Sequence, residues 1–453
     1  MNNNGYPSST RAWLTVGILM LAYVLSFIDR QILNLLVEPI RRDLDITDTH
    51  MSLLMGLSFA LFYTLCGLPL GRLADRKSRR GLIACGVLLW SLMTALCGTA
   101  KTFWQFLTFR VGVGVGEAAL SPSAYSLIAD SFPPRLRATA MSVYSMGIYI
   151  GSGLAFLLGG LVVKYASAQG DVVLPLLGEV RHWQLIFLIL GAAGVVFTLV
   201  LLAIKEPQRQ GVGAGIEVPL SEVAQYLKTN RRTVLCHNLG FACLAFASYG
   251  AGAWIPTFFI RTYEWSASDI GVLYGSAVAV CGSLGIVAGG RLSDLLQRRG
   301  YRDAPLRVAI ISAVLTLPLN LVYLAGSGEL ALALMAVHVF TVAMPFGVGP
   351  AALQEIMPNS MRGQASAIYL FVITLIGLGI GPTAVALVTD FVFADDQALR
   401  YSLLIVSSVA LLGAMVVLGL GLRHYRDSLS RLQQWRPQGA SEAPGTEGEQ
   451  QPA

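Results

Sequence analysis

Gly71-Arg72-Leu73-Ala74-Asp75 returns later in the chain as Gly290-Arg291-Leu292-Ser293-Asp294, and Arg79-Arg80 returns as Arg298-Arg299. A second block behaves the same way. Asp130, Pro133, Arg137, Ala140 and Tyr144 are answered, in the same order and spacing, by Glu355, Pro358, Arg362, Ala365 and Tyr369. Two matched blocks in one order signal an internal duplication. Both blocks lie between long apolar runs, so the duplicated unit is a set of apolar segments joined by short basic loops.

The composition says what those runs are. Hydrophobic residues make up 55% of the chain and charged residues 13%, against ~25% charged in soluble domains. So little charge cannot cover a soluble core, and the chain reads as a polytopic membrane protein. A spanning helix needs ~20 mostly apolar residues. Twelve such stretches are present: 13–38, 51–73, 81–100, 104–130, 138–163, 184–204, 233–259, 268–291, 306–326, 330–354, 364–391 and 399–422. Helices are expected, because backbone polar groups in lipid must be paired within the segment and these runs are too long and continuous for barrel strands. The predicted fold is an all-α membrane protein with twelve transmembrane helices in two six-helix bundles related by pseudo-two-fold symmetry.

The expected organisation is a tail over 1–12, a first bundle over 13–204, a linker over 205–232, a second bundle over 233–422 and a tail over 423–453. Within the linker, Ser221 is a candidate cap for a short amphipathic helix with Leu220, Val223, Ala224 and Leu227 on one side. Residues 436–453 are rich in Pro, Gly, Glu and Gln and are expected to be disordered.

Of the 32 Lys and Arg residues, 23 fall on the side of the termini and the linker and 7 on the other side, while Arg30 and Arg110 lie within spans. Basic loops stay in the cytoplasm, so both termini are expected there. The compact loops and the absence of a cleavable leader suggest a bacterial inner membrane. The formal charge of +6 is spent on topology, so no nucleic acid partner is expected. The six cysteines lack metal or disulfide spacing, and no GxxxxGK[ST] loop is present for an ATP-driven pump. No nucleophile–base pair or metal cluster stands out, so an enzyme acting on lipids in the membrane is the weaker reading. No cofactor or metal is expected, and the chain is expected to be a monomer in the bilayer.

Asp29 and Arg30 lie inside the first apolar run, and Arg110 and Glu117 inside the fourth. A charge at the bilayer centre costs at least ~2.5–3.5 kcal/mol, so these residues need partners or a water-filled cavity. Asp29 lies ~24 Å into span 1 and Glu117 ~20 Å into span 4 from the opposite surface, at 1.5 Å per residue. In a membrane ~40 Å thick these depths nearly coincide. Arg30 is therefore a candidate anchor for an anionic headgroup, since a guanidinium grips phosphate or carboxylate with two parallel bonds. Glu117 is the candidate proton carrier and a second substrate contact. Asp29 either shares that proton or pairs with Arg110. Such a pathway implies protons as the coupling ion.

Two resemblances follow. The loop from Gly71 to Arg80 resembles the signature loop of the major facilitator superfamily, with Ser78 where that family usually has Gly. Tyr23-Val24-Leu25-Ser26-Phe27-Ile28-Asp29-Arg30 resembles the first helix of its spinster branch. Arg110-Val111-Gly112-Val113-Gly114-Val115-Gly116-Glu117-Ala118 resembles the fourth helix, and Ile128-Ala129-Asp130 and Gly151-Ser152-Gly153-Leu154 extend the match. The resemblance implies alternating-access transport of an amphiphilic anionic lipid, a lysophospholipid or sphingoid phosphate, linked to protons. Anion–cation symporters also carry Asp-Arg in the first helix, which keeps a small organic anion as the alternative cargo.

Gating residues are expected at the inner loops. Asp75 is expected to face the start of span 11 near Gly363, and Asp294 the start of span 5 near Ala138, where helix dipoles favour carboxylates. Arg72, Arg79, Asp130 and Arg137 are expected to complete one cluster, and Arg291, Glu355 and Arg362 the other. The resemblance also sets span 5 against span 8, both rich in glycine. Pro122, Pro256, Pro345 and Pro382 are expected to kink their spans. The second half holds little charge in its spans. His338 reads as a buried hydrogen-bonding group rather than a relay. Tyr249, Trp254, Met344 and Phe346 are the expected apolar wall for a substrate tail.

Overall fold

The computed structural model describes residues 7–132, 134–169, 172–174, 178–207, 220–358 and 361–434. The predicted disordered tail, 436–453, lies outside them. Ten helical stretches are long and apolar enough to cross a membrane. Two more complete the set: 103–131, broken at Ala118 and Ala119, and Pro134–Gln169.

In chain order the spans are Ser9–Leu35, 48–76, Arg79–Cys97, 103–131, Pro134–Gln169 and His182–Leu202 in the first half. The second half has Arg231–Tyr263, Ala267–Arg298, Ala304–Leu324, 328–355, 362–393 and Leu399–Gln434. They are called spans 1 to 12. Most outrun the expected limits, because helices continue past the apolar run into the polar boundary, as in Leu399–Gln434.

Shorter elements sit outside the spans. Val37–Leu44 forms a helix after span 1, and Leu220–Thr229 forms the linker helix. A two-stranded antiparallel hairpin, Val172–Leu174 with Gly178–Val180, joins spans 5 and 6. The hairpin is an exception to the all-α expectation. Its β-branched valines favour extended backbone, and Gly178 supplies a φ of +74° at the return.

Three of the four prolines expected to kink their spans sit at helix restarts, where a missing N–H costs nothing. Span 4 resumes at Leu120 and carries Pro122 in its first turn. Span 10 resumes at Pro345, and span 11 has Pro382 just after Gly381. Pro256 lies inside the unbroken helix Arg231–Tyr263. Spans 2, 8 and 11 also contain π-helical turns, at Leu53–Leu57, Val278–Gly282, and both Thr374–Ile380 and Val388–Phe393.

The apolar packing shows how the halves meet. On the face opposite the linker one core runs through both, from Ile32, Met51 and Phe106 to Trp254, Phe258 and Leu403. Toward the linker face the core divides. Val16, Trp90 and Leu127 belong to a first-half cluster, and Phe241, Leu353 and Tyr425 to a second-half one. Among the described residues the two halves thus share a core at one face and hold separate clusters at the other.

Spans 5 and 8 cross between the halves at glycine. A Cβ placed on Gly271 would lie 2.9 Å from both Gly160 Cα and the Phe156 carbonyl oxygen. Gly271→Leu is predicted to cost about 1–3 kcal/mol through overpacking and to lower the thermal midpoint of the purified protein. An unchanged midpoint would mean that these helices do not depend on that contact.

Candidate functional site

Span 1 delivers two charges about 100° apart on the helix, so Asp29 and Arg30 leave in different directions. Arg30 turns toward span 4. Its Nε and Nη2 donate to Glu117 Oε2 at 2.7 and 2.5 Å. Ser26 Oγ, one turn earlier, donates to the same oxygen at 2.5 Å. Glu117 Oε1 is buried without a partner. Glu117 is the last residue before the break in span 4.

Aromatic rings surround the guanidinium. Arg30 Cζ lies 4.4 Å from the Phe59 ring centroid and 5.2 Å from those of Phe27 and Tyr63. Ring faces attract a cation when water is scarce. The Arg30 side chain remains 18% exposed while Glu117 is fully covered, so Arg30 is the member of the pair that an incoming anion can reach.

Asp29 points elsewhere and accepts a 3.1 Å hydrogen bond from Thr94 Oγ1 of span 3. It does not form a side-chain ion pair with Arg110, as one expected reading had it. Arg110 instead donates from Nη1 to the main-chain carbonyl of Asp29 at 3.4 Å and from Nε to that of Leu54 at 3.2 Å. Leu54 lies in the π turn of span 2, where wider winding changes which carbonyls are free to accept. Arg110 Nη2 has no partner. Arg110 therefore braces spans 1 and 2 through backbone.

The expected apolar wall is half corrected. Tyr249 and Phe346 are partly exposed and meet edge to face at 6.0 Å. Trp254 is completely buried and donates from its indole N–H to the Pro382 carbonyl at 2.9 Å. Met344 is buried in the second-half core, its backbone against Gly289. A full core contact and a satisfied indole leave neither of these two free to line a cavity.

At the linker face, Arg79 is buried and pairs with Asp130. It also donates from its main-chain N–H and Nε to Glu206 Oε1 at 2.9 and 3.2 Å. Burial alone would raise the Glu206 carboxyl, but hydrogen bonds from Ser78 and Arg79 win and hold it below the ordinary value. That tie is present above the usual carboxylate range and is lost as pH falls through the lowered value. Among the described residues this cluster joins spans 3, 4 and 6 of one half and does not reach the other. In the second half, Glu355 accepts from Tyr425 Oη at 2.8 Å and Gln297 Nε2 at 3.1 Å, not from Arg291. Arg291 and Asp294 are exposed and make no ion pair among the described residues. The side chains of Arg72, Asp75, Arg137 and Arg362 lie outside the described residues.

His338 bonds to Asn320 Oδ1 at 3.1 Å, as a structural histidine does. His237 was passed over in the sequence. It is also buried in span 7, against the Gly349 carbonyl at 2.9 Å.

Sequence reasoning missed a charged latch on the face opposite the linker. Arg261 of span 7 grips Asp48 at the start of span 2 with two bonds of 2.7 and 2.8 Å, and Glu38 with one of 2.6 Å. Arg41 holds Asp396 at 2.7 Å and Asp48 at 3.1 Å. Asp390 accepts from the Thr49 N–H and hydroxyl at 2.7 and 2.6 Å, capping the start of span 2 from the other half. Asp48, Asp390 and Asp396 approach one another as metal ligands would, but arginines and Thr49 already occupy them. These side-chain hydrogen bonds and ion pairs bridge the two six-helix bundles on this face. In the sequence these residues were indistinguishable from loop charges.

Comparisons with known proteins agree with this architecture. A family model described as Major Facilitator Superfamily matches residues 19–382. An "MFS-type efflux pump" of Mycolicibacterium smegmatis is 30% identical over 92% of this chain and 94% of that protein. The "Sphingosine-1-phosphate transporter SPNS2" of Danio rerio is 25% identical over 90% and 84% respectively. A crystal structure of a bacterial homolog to the human lysosomal transporter Spinster, inward-facing and unoccupied, superposes with a TM-score of 0.78. That structure shares 26% identity and covers 95% of this chain and 100% of its own.

Removing one partner of a buried pair costs about 3–5 kcal/mol. Arg261→Leu is therefore predicted to loosen the latch and shift the population toward a form open on that face. Spin labels at Arg42 and Asp395, in a cysteine-free background, should report a longer distance. An unchanged distance distribution would show that the latch does not hold the halves.

Proposed function

This chain belongs to the spinster-like branch of the major facilitator superfamily and is a membrane transporter, not an enzyme; we propose that it carries an amphiphilic anionic lipid coupled to protons. The observation that carries this reading is the Arg30–Glu117 contact. Arg30 turns its Nε–Nη2 edge to Glu117, and a cargo phosphate or carboxylate competes for that edge. If cargo takes Arg30, Glu117 is left as a buried charge without its partner, at a cost of several kcal/mol. Protonation removes that cost, and the unpartnered Oε1 is the position for the proton. Cargo binding and proton uptake are thereby linked, and alternating access decides the side on which each occurs.

The partly exposed Tyr249–Phe346 pair supports an apolar tail beside the headgroup. The relative described as a sphingosine-1-phosphate transporter supports the same class of cargo. Arg110 keeps spans 1 and 2 in register, and Asp29 with Thr94 is a second protonatable group beside it. The bias of basic residues supports a cytoplasmic linker face and a place in a bacterial plasma membrane. The molecule is read as working as a monomer, with protons as the only coupling ion.

Vesicles reconstituted with the full chain test the proposal, with lysophosphatidic acid as the probe. Glu117→Gln, neutral at every pH, is predicted to abolish transport driven by a pH gradient while keeping exchange. Full gradient-driven transport in that variant would remove Glu117 from coupling. Arg30→Ala is predicted to weaken probe binding about 10–100-fold, the value of charge-assisted hydrogen bonds. Unchanged affinity would reject the anchoring role. Transport of small organic anions in place of the lipid would move the cargo to the alternative class.

A further inference from the structure

A cationic cavity of about 380 Å³ lies at the linker face between the start of span 7 and the end of span 12, away from Arg30. Arg231, Arg232, Arg423 and Arg431 line it, with Asp427 as the single carboxylate. Arg231, Arg232 and Arg423 are exposed and have no ion pair or hydrogen bond among the described residues. Arg431 donates to the Thr229 carbonyl and Asn230 Oδ1, both at 3.1 Å, and so forms the floor. Unpaired like charges lining one cavity repel one another, and an anion relieves that repulsion.

The depth of the cavity and the surface beneath it identify the anion. The apolar run from Leu399 to Leu422 rises ~36 Å along its helix, against ~30 Å for the hydrocarbon layer. Arg423, the next residue, therefore stands at headgroup level. Below it on the same face, at spacings of three and four, come Leu420 and Val416, both exposed. Span 7 repeats the pattern: Arg231 is followed at spacings of four by the exposed Leu235 and Leu239. The two spans pack tightly, since a Cβ on Gly421 would lie 2.9 Å from Cys236 Cβ. Each helix thus carries an arginine above an apolar stripe, and the two stripes run side by side.

We propose that this cavity binds the phosphate headgroup of an anionic phospholipid, with its acyl chains along Leu235, Leu239, Val416 and Leu420. The lipid is a resident partner rather than cargo. Its headgroup bridges span 7 and span 12 next to Thr229, the last residue of the linker helix, and so ties that helix to the second half. Free phosphate would satisfy the arginines but would make no use of the apolar stripes.

The experiment uses the full chain in neutral detergent, with dioleoylphosphatidic acid, dioleoylphosphatidylcholine and inorganic phosphate as probes. Phosphatidic acid is expected to raise the thermal midpoint, and the other two are not. Each arginine near a charged headgroup strengthens binding about fivefold. Changing Arg231, Arg232 and Arg423 together to Gln should therefore weaken phosphatidic acid binding about 100-fold, and changing them to Lys should restore most of it. If the triple variant does not fold, Arg423→Gln alone should give about a fivefold loss with an unchanged midpoint in phosphatidylcholine. Arg30→Ala should keep the phosphatidic acid shift in full, which separates this site from the transport site. Equal shifts with phosphatidylcholine or inorganic phosphate, wild-type affinity in the Gln variants, or loss of the shift in Arg30→Ala would each overturn the proposal.

Discussion

A carboxylate and a guanidinium buried near the middle of a membrane compensate one another. Glu117 shares one oxygen with Ser26 and with two nitrogens of Arg30. Breaking that contact without a substitute costs far more than a surface ion pair is worth. Anything that takes Arg30 must therefore settle the charge on Glu117. The proposed coupling of cargo to protons rests on that constraint and needs no contact between cargo and proton. The rings of Phe27, Phe59 and Tyr63 sharpen it, because they stabilise the cation without neutralising it.

The rest of the structure closes one side of this pair. One apolar core and the Arg261–Asp48 and Arg41–Asp396 bonds close the face opposite the linker. Toward the linker face the described residues form two separate cores. Arg110 connects the site to the closure. It holds the π turn of span 2 through Leu54, and a Cβ on Gly56 in that turn would lie 3.3 Å from the Gly379 carbonyl oxygen, in the π turn of span 11. The charged site and the seam between the halves thus share one element.

The duplication, the twelve spans and the meeting of Arg30 with Glu117 were legible because they depend on composition, order and helix rise. Depth along a helix is arithmetic, whereas rotation about its axis is not. That is why Trp254 and Met344, on the right spans, turn into the core instead of the cleft. The Asp29–Arg110 pair failed for a related reason. A guanidinium can spend its donors on backbone carbonyls, and the π turn that presents Leu54 has no sequence mark. The latch was hidden because Glu38, Arg41, Asp48 and Arg261 look like any loop charges until the halves are assembled. The Arg79–Glu206 tie was hidden because Glu206 opens a linker rather than closing a span.

The account rests on Arg30 being shared between Glu117 and the anionic group of the cargo. Proton uptake measured in weakly buffered solution, as the purified chain binds lysophosphatidic acid, tests this most directly. The account predicts that the wild-type chain takes up a proton with each ligand bound and that Glu117→Gln binds the ligand with no uptake. Ligand binding by the wild-type chain without proton uptake, or equal uptake in Glu117→Gln, would contradict it.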